Sequence, residues 1–437
     1  MKNKLWIENY PDAFTAFVRK LPSFLILILL SLDGIPQQLT LEECYQRLDS
    51  LFPLVEDKSV YQQQFELTRK KINTSWLPQM TMNAQATYQS DVTKLNFDFP
   101  PQFNMEIDDP AKDQYKVSIE ILQPLFDGGI SSIGKEIEFV NSEIHIISTE
   151  VELYAIKPRL NDIYFGILKL KKTKEILELT RIQMLELQKV ISSGINNGVL
   201  TESAADELNA ELLRTSQQIS EVACRISGFS GMLGKLLDID ISTETEFVLP
   251  EVSEVVGDIS RPEYQLFELN RNKIDVSSEF LKKTRYPRLY AFAQMGYGKP
   301  GLNMLSNEFD YYYYVGARFT WNIWDWKRTN YDRQVLEAGK FLIDTKTESF
   351  TRNIESSLEI EQANIERLKE AMEDDLEIIR LREKITKNSE SRLQNGIISA
   401  TDYLEDLNRE SLARINFEIH KTELIQSQYN YIIIKGL

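Results

Sequence analysis

Late in the chain, "NGIISATDYLEDLNRE" (395–410) sets Asp402 and Glu405 three residues apart, and on a helix that spacing puts both carboxylates on one face. Two neighbouring carboxylates can select cations, hold a metal ion, or raise each other's pKa. The same pattern also suits a solvated helix start, where acidic side chains favour the positive end of the helix dipole. The residues alone leave both readings open. Other chemistry is sparse. His145 and His420, the only histidines, lie in helical runs far apart without partners at metal-ligand spacing, which makes them surface or packing residues. There is no Gly-rich phosphate loop, nucleophile elbow or zinc spacing, so neither an enzyme nor a cofactor is expected.

The elements that must position Asp402 and Glu405 are long helices. Between Asp325 and Gly396, apolar residues such as Phe350, Ile354, Leu358, Ile365, Leu368, Met372, Leu376 and Ile379 recur in steps of three, four and seven, an amphipathic, coiled-coil-like face. Such a helix is roughly 100 Å long. "SRLQNGIISA" (391–400) ends it, and "ISSGINNGVL" (191–200) ends an earlier run. Helices over about 201–237 and 401–435 then return antiparallel, so the turns at Asn197, Gly198 and Val199 and at Asn395, Gly396 and Ile397 form the tips of two long hairpins. Pro158 predicts a break in the first long helix.

The two hairpins belong to a duplicated plan. A strict period of two runs through "MTMNAQATYQ" (80–89) and "YKVSIEI" (115–121), and again through "LYAFAQMGY" (289–297) and "YYYYVGARFTWNI" (311–323), which predicts β-hairpins within 79–125 and 288–324. "LFDGG" ends the first at Asp127 and "IWDWK" ends the second at Asp325, and Asp127 stands as far from Gly198 as Asp325 does from Gly396.

The chain has 437 residues, 42% hydrophobic and 27% charged, with a formal charge of −16. It is folded rather than disordered, and it lacks the clustered Lys and Arg that nucleic-acid binding needs. Residues 1–34 read as a signal peptide, with Lys2, Lys4, Arg19 and Lys20 ahead of an apolar core too short to span a bilayer. Cys44 and Cys224 are too few for a disulfide framework and read as small packing residues.

Four strands of about ten residues, apolar on one face and polar on the other, suit a β-barrel wall with lipid outside and water inside. Tyr88, Tyr115, Tyr297, Tyr311 and Trp321 near the strand ends would form its aromatic girdles. A soluble sandwich is the competing reading, but hairpins so far apart in sequence and attached to such helices suit it poorly.

In this order of elements the chain resembles the TolC-like outer membrane factors. The resemblance covers essentially the whole mature chain and is carried by "LTLEEC", "LQPLFDGG", the long stretch from "RPEYQLFELN" to "RLYAFAQMGYG", and the two tips. It implies a mixed α/β membrane protein: a homotrimer whose chains each give four strands to a 12-stranded barrel, continued by a periplasmic α-barrel. On this reading 35–237 is the first repeat, 238–262 an equatorial linker and 263–437 the second repeat. The implied function is a passive exit duct in the Gram-negative outer membrane. Its partners would be lipid, a periplasmic adaptor and an inner-membrane transporter of RND, ABC or MFS type, in an efflux pump or type I secretion system. Asp402 and Glu405 match the family's acidic pair at the entrance. Leu393 and Ile398 occupy the positions of its tyrosine and arginine latch, and Ala204 that of an acidic residue of the first tip. Apolar packing of Leu393, Ile397 and Ile398 is therefore expected to close the entrance. A soluble periplasmic coiled-coil scaffold or adaptor is the alternative.

Overall fold

The computed structural model describes residues 38–92, 111–242, 244–252 and 257–437. The signal segment and most of the loop between the first two long strands lie outside these residues. In chain order the elements are β1 (Gln38–Leu39), α1 (Leu41–Leu51), α2 (Leu54–Thr74), β2 (Gln79–Tyr88), β3 (Asp113–Phe126), α3 (Ile130–Tyr154), α4 (Lys157–Asn196) and α5 (Glu202–Leu237). Then follow β4 (Glu246–Phe247), α6 (Pro262–Lys283), β5 (Arg288–Lys299), β6 (Asp310–Thr320), α7 (Arg328–Gln394) and α8 (Ala400–Lys435). The chain divides into two units.

The strand-bearing unit comprises Tyr45–Asp162, Val252–Leu381 and Ile419–Leu437. Its sheet is antiparallel throughout, in the order β2-β3-β5-β6, with β2 and β6 as edges. Directly paired residues share a face. Met82 pairs with Ile119, Ile119 with Met295 and Met295 with Tyr313; Ala84 with Val117, Val117 with Tyr297 and Tyr297 with Tyr311. The period-two pattern of each strand therefore merges into one apolar face across all four. That face is exposed: Met82 is 70% accessible, and Val315 and Phe319 are exposed with it. The sequence pattern extends the last strand to Ile323, but pairing stops at Arg288 with Thr320, so 321–323 lie beyond the ladder.

On the opposite face, aromatic rings cover glycines of the neighbouring strand. Phe292 lies over its partner Gly316 and Tyr312 over its partner Gly296, while Lys116 sits 5.2 Å above the Tyr312 ring and Arg318 5.3 Å above that of Phe292. A Cβ at Gly316 would come within 2.7 Å of Phe292 Cζ. Gly316→Ala is thus expected to cost about 1–3 kcal/mol by overpacking, read as a lower denaturant midpoint of the folded protein; an unchanged midpoint would show that the ring moves aside freely.

Asp127 and Asp325 each start the helix after a hairpin. Asp127 accepts hydrogen bonds from the Gly129 and Ser131 amides (both 2.8 Å), and Asp325 from the Lys327 and Thr329 amides (both 3.1 Å). These bonds satisfy amides that have no partner within the helix. The backbone between is left-handed in both places. Gly128 and Gly129 have φ of 72° and 85°, whereas Trp326 and Lys327 hold φ of 53° and 65°. For residues with a Cβ this conformation costs about 1–2 kcal/mol each.

α3 packs against α2 and α6. It ends at Tyr154, and α4 resumes at Lys157, so Pro158 falls in the first turn, where its missing N–H and fixed φ are tolerated.

The described residues of the tip unit are 38–44, 163–242, 244–251 and 382–418. Here β1 and β4 pair in parallel, a contact between residues about 200 positions apart that local patterning does not announce. The buried Tyr164 hydroxyl bridges the two segments, 2.9 Å from the Leu39 carbonyl and 2.6 Å from that of Val248. Cys44 is buried, as a small packing residue should be, but Cys224 is exposed, because it falls on an outward position of the α5 stripe set by Val222 and Ile226.

Candidate functional site

Both tips close by the same geometry. Gly198 has φ 72° and donates to the Ile195 carbonyl (2.9 Å), while Val199 donates to Gly194 (2.9 Å). Gly396 has φ 71° and donates to Leu393 (2.9 Å), while Ile397 donates to Arg392 (2.8 Å). Each is a Schellman turn, which needs a left-handed residue after the helix, and glycine takes that backbone without penalty. The two turns are neighbours: a Cβ on Gly396 would touch Val199 at 3.5 Å.

Beneath the turns lies one apolar cluster. Met184, Leu187, Ile191, Ala204, Leu208, Leu393, Ala400, Tyr403, Leu404 and Leu407 are buried in it, with Leu200 and Ile398 packed against its edge. Leu393 is 1% exposed, so its apolar surface is already satisfied within its own chain. Ile397 is 64% exposed. The trio Leu393, Ile397 and Ile398 is therefore divided: two members hold the tip together, and one projects from it.

The acidic pair is divided as well. Ser399 and Asp402 form a capping box: the Ser399 amide and hydroxyl donate to the Asp402 carboxylate at 3.0 and 2.8 Å, and the Asp402 amide donates back to the Ser399 hydroxyl at 3.2 Å. The hydroxyl's hydrogen bond first, then that of the amide, hold the Asp402 carboxyl below the ordinary carboxylate range. Glu405 pairs with Arg409 one turn on. Both carboxylates are exposed. A lowered pKa makes the ionised cap stabilising above the usual range and removes that gain as pH falls through the lowered value. The difference in melting temperature between the native chain and Asp402→Asn should vanish in acid; a difference independent of pH would contradict the cap.

At the loop end of the sheet, aromatic side chains gather. The Tyr297 ring lies 4.6 Å from Tyr311 and 5.4 Å from Phe309, and the Tyr115 ring lies 6.2 Å from Phe309. Tyr88 is exposed on the adjoining edge strand, and Trp321 stands at the opposite, helix-bearing end, donating from Nε1 to the Arg285 carbonyl (3.1 Å). Nothing in the spacing of Phe309 marks it from sequence; the loop carries it back to the strands.

No model of a known protein family and no curated protein sequence matches the chain. Solved structures do. The Campylobacter jejuni CmeC outer membrane channel superposes with a TM-score of 0.64 at 13% identity, over 91% of this chain and 85% of that one. VceC, an outer membrane protein of Vibrio cholerae, gives 0.65 at 11% identity, over 91% and 96%. The open state of the Neisseria gonorrhoeae MtrE outer membrane channel gives 0.62 at 13% identity, over 90% and 88%. The chain has the fold of the TolC-like outer membrane factors.

Within that fold, Leu393 and Ile398 stand at the positions the resemblance assigns to a polar latch, and both face the apolar cluster of their own tip. Asn395 donates to the Ser391 carbonyl (2.7 Å), and Asn197 lies 3.5 Å from the Ser193 hydroxyl, so both asparagines fasten their turns. The histidines are placed by contacts that sequence separation hides. His145 stacks on Tyr61 with centroids 4.8 Å apart, and His420 Nδ1 lies 2.6 Å from the buried carboxylate of Asp375. Among the described residues no group of three His, Cys, Asp or Glu could hold a metal ion, and no helix is long and apolar enough to cross a membrane.

Proposed function

We propose that three copies of the chain close a 12-stranded β-barrel in the outer membrane of a Gram-negative bacterium and extend it inward as a helical duct. The observation that carries this reading is the sheet: one face is apolar and exposed from edge to edge, and neither edge strand has an outer partner among the described residues. β2 and β6 run in opposite directions, so β6 of one copy meets β2 of the next antiparallel, and ring closure removes every edge. The strands, 10 to 14 residues long, are long enough to cross a bilayer at a tilt. On α7, exposed Tyr331, Val335 and Leu342 recur in steps of four and seven and offer an apolar stripe to an adjacent copy.

In this reading the chain is two copies of one plan, and the two Schellman turns form the inner mouth. An adaptor and an inner-membrane transporter of RND, ABC or MFS type dock on residues 197–199 and 395–397, whose Val199 and Ile397 project. Asp402 and Glu405 then ring the mouth, where three chains bring up to six carboxylates and favour cations. Transport is passive, and its energy comes from the partners. A soluble scaffold fits less well, since it leaves the exposed sheet face without an occupant. The purified protein is expected to insert into planar lipid bilayers in discrete, cation-selective conductance steps, and Asp402→Asn with Glu405→Gln is expected to weaken that selectivity. Failure to insert under any detergent condition would favour the scaffold.

A further inference from the structure

Every tryptophan among the described residues sits at one end of the sheet, where its strands join helices. Trp76 precedes β2, and Trp321, Trp324 and Trp326 follow β6. The loop end carries Tyr88, Tyr115, Tyr297, Tyr311 and Phe309 instead. Indole rings, apolar in body and polar at one edge, concentrate at membrane–water boundaries. Trp324 is 68% and Trp326 82% exposed, and their rings meet edge to face at 5.8 Å, so the chain buries neither.

The two residues that follow are basic. Lys327 and Arg328 are exposed, and neither has a carboxylate partner within ion-pair distance among the described residues. The nearby Arg285, by contrast, lies 3.9 Å from Asp325. This patch continues in sequence from the strand whose Tyr313, Val315 and Phe319 form part of the exposed apolar face. An apolar wall, then indoles, then free cations is the order in which a bilayer offers hydrocarbon, boundary and headgroup phosphate. The same turn after the first hairpin is made with Gly128 and Gly129; Trp326 and Lys327 put an indole and an ammonium where the backbone needs neither.

We infer that residues 324–328 are a headgroup anchor selective for anionic phospholipid, with Trp324 and Trp326 at the boundary and Lys327 and Arg328 on lipid phosphates. The inference rests on the reading of the sheet as a membrane wall. It is tested on the full chain reconstituted into vesicles of phosphatidylcholine and phosphatidylglycerol, one lipid at a time carrying brominated tails, with tryptophan quenching as the readout. Stronger quenching by the brominated phosphatidylglycerol is expected. Lys327→Gln with Arg328→Gln should lower that preference by roughly 5-fold per charge removed.

Trp326→Gly with Lys327→Gly restores the Asp-Gly-Gly turn and is expected to keep or raise the melting temperature in detergent while weakening the preference. Equal quenching by the two lipids in the native chain, or a preference kept in both variants, would overturn the anchor. Variants that alter the oligomer's mass in detergent yet keep the lipid preference would assign the patch to a second copy instead. Protein that fails to float with the vesicles sinks the membrane reading as well, whereas protein that floats without a preference sinks the anchor alone.

Discussion

Met82→Arg should nearly abolish recovery of assembled protein from the outer membrane, while Asn83→Arg, one residue along, should leave it close to the native level. The two positions alternate across β2. Met82 lies mid-strand on the apolar face, 70% exposed beside Ile119, whereas Asn83 pairs with Ser118 on the polar face. In lipid, an arginine near the midplane of a barrel strand costs about 2–4 kcal/mol, and in a trimer every copy bears it. That is roughly 30- to 1,000-fold in each chain's folding equilibrium, because each 1.4 kcal/mol is a factor of ten. In water the same substitution at an exposed methionine costs almost nothing. Quantifying heat-modifiable, membrane-embedded protein for both variants checks the difference; equal recovery would remove lipid from the apolar face.

Leu393→Ser should loosen the tip and raise basal ion leakage, and Ile397→Ser should do neither. Leu393 is buried among Met184, Ile191, Leu208 and Tyr403, so the change removes apolar volume and buries a hydroxyl, costing about 2–5 kcal/mol on the scale of large-to-small core substitutions. Because the two turns share that cluster, the loss should appear as faster amide exchange over 163–212 and 382–410 rather than in the sheet. Ile397 is largely exposed and forfeits little within the chain. Its loss should instead weaken capture of the adaptor. Leakage that stays at the native level in Leu393→Ser would show that the entrance is closed by something other than tip packing.

These expectations depend on features of unequal legibility. The period-two stretches at 80–88 and 115–121 could be read because apolar and polar side chains alternate strictly between the two faces of each strand, and the two tips because a left-handed turn after a long helix demands glycine. The pairing of β3 with β5 could not, since alternation sets faces and not neighbours. The same blindness to distance hid β1 against β4 and His420 against Asp375. At the tip, the resemblance directed attention to Leu393 and Ile398 as an entrance latch; helical phase alone could have placed Leu393 in the same stripe as Thr386 and Ser389, which are also buried. Trp326 and Lys327 were obscure for another reason. Their side chains say nothing of a left-handed backbone, which appears only when "DWK" is set beside "DGG".

The most direct test of the duct is the mass of the protein extracted from isolated outer membranes in mild detergent, measured with the detergent contribution removed. Three chains, about three times 50.8 kDa less the signal segment, is the expected result. A single chain recovered from the soluble periplasmic fraction would contradict it, because one copy supplies a four-stranded sheet whose edge strands have no outer partner among the described residues.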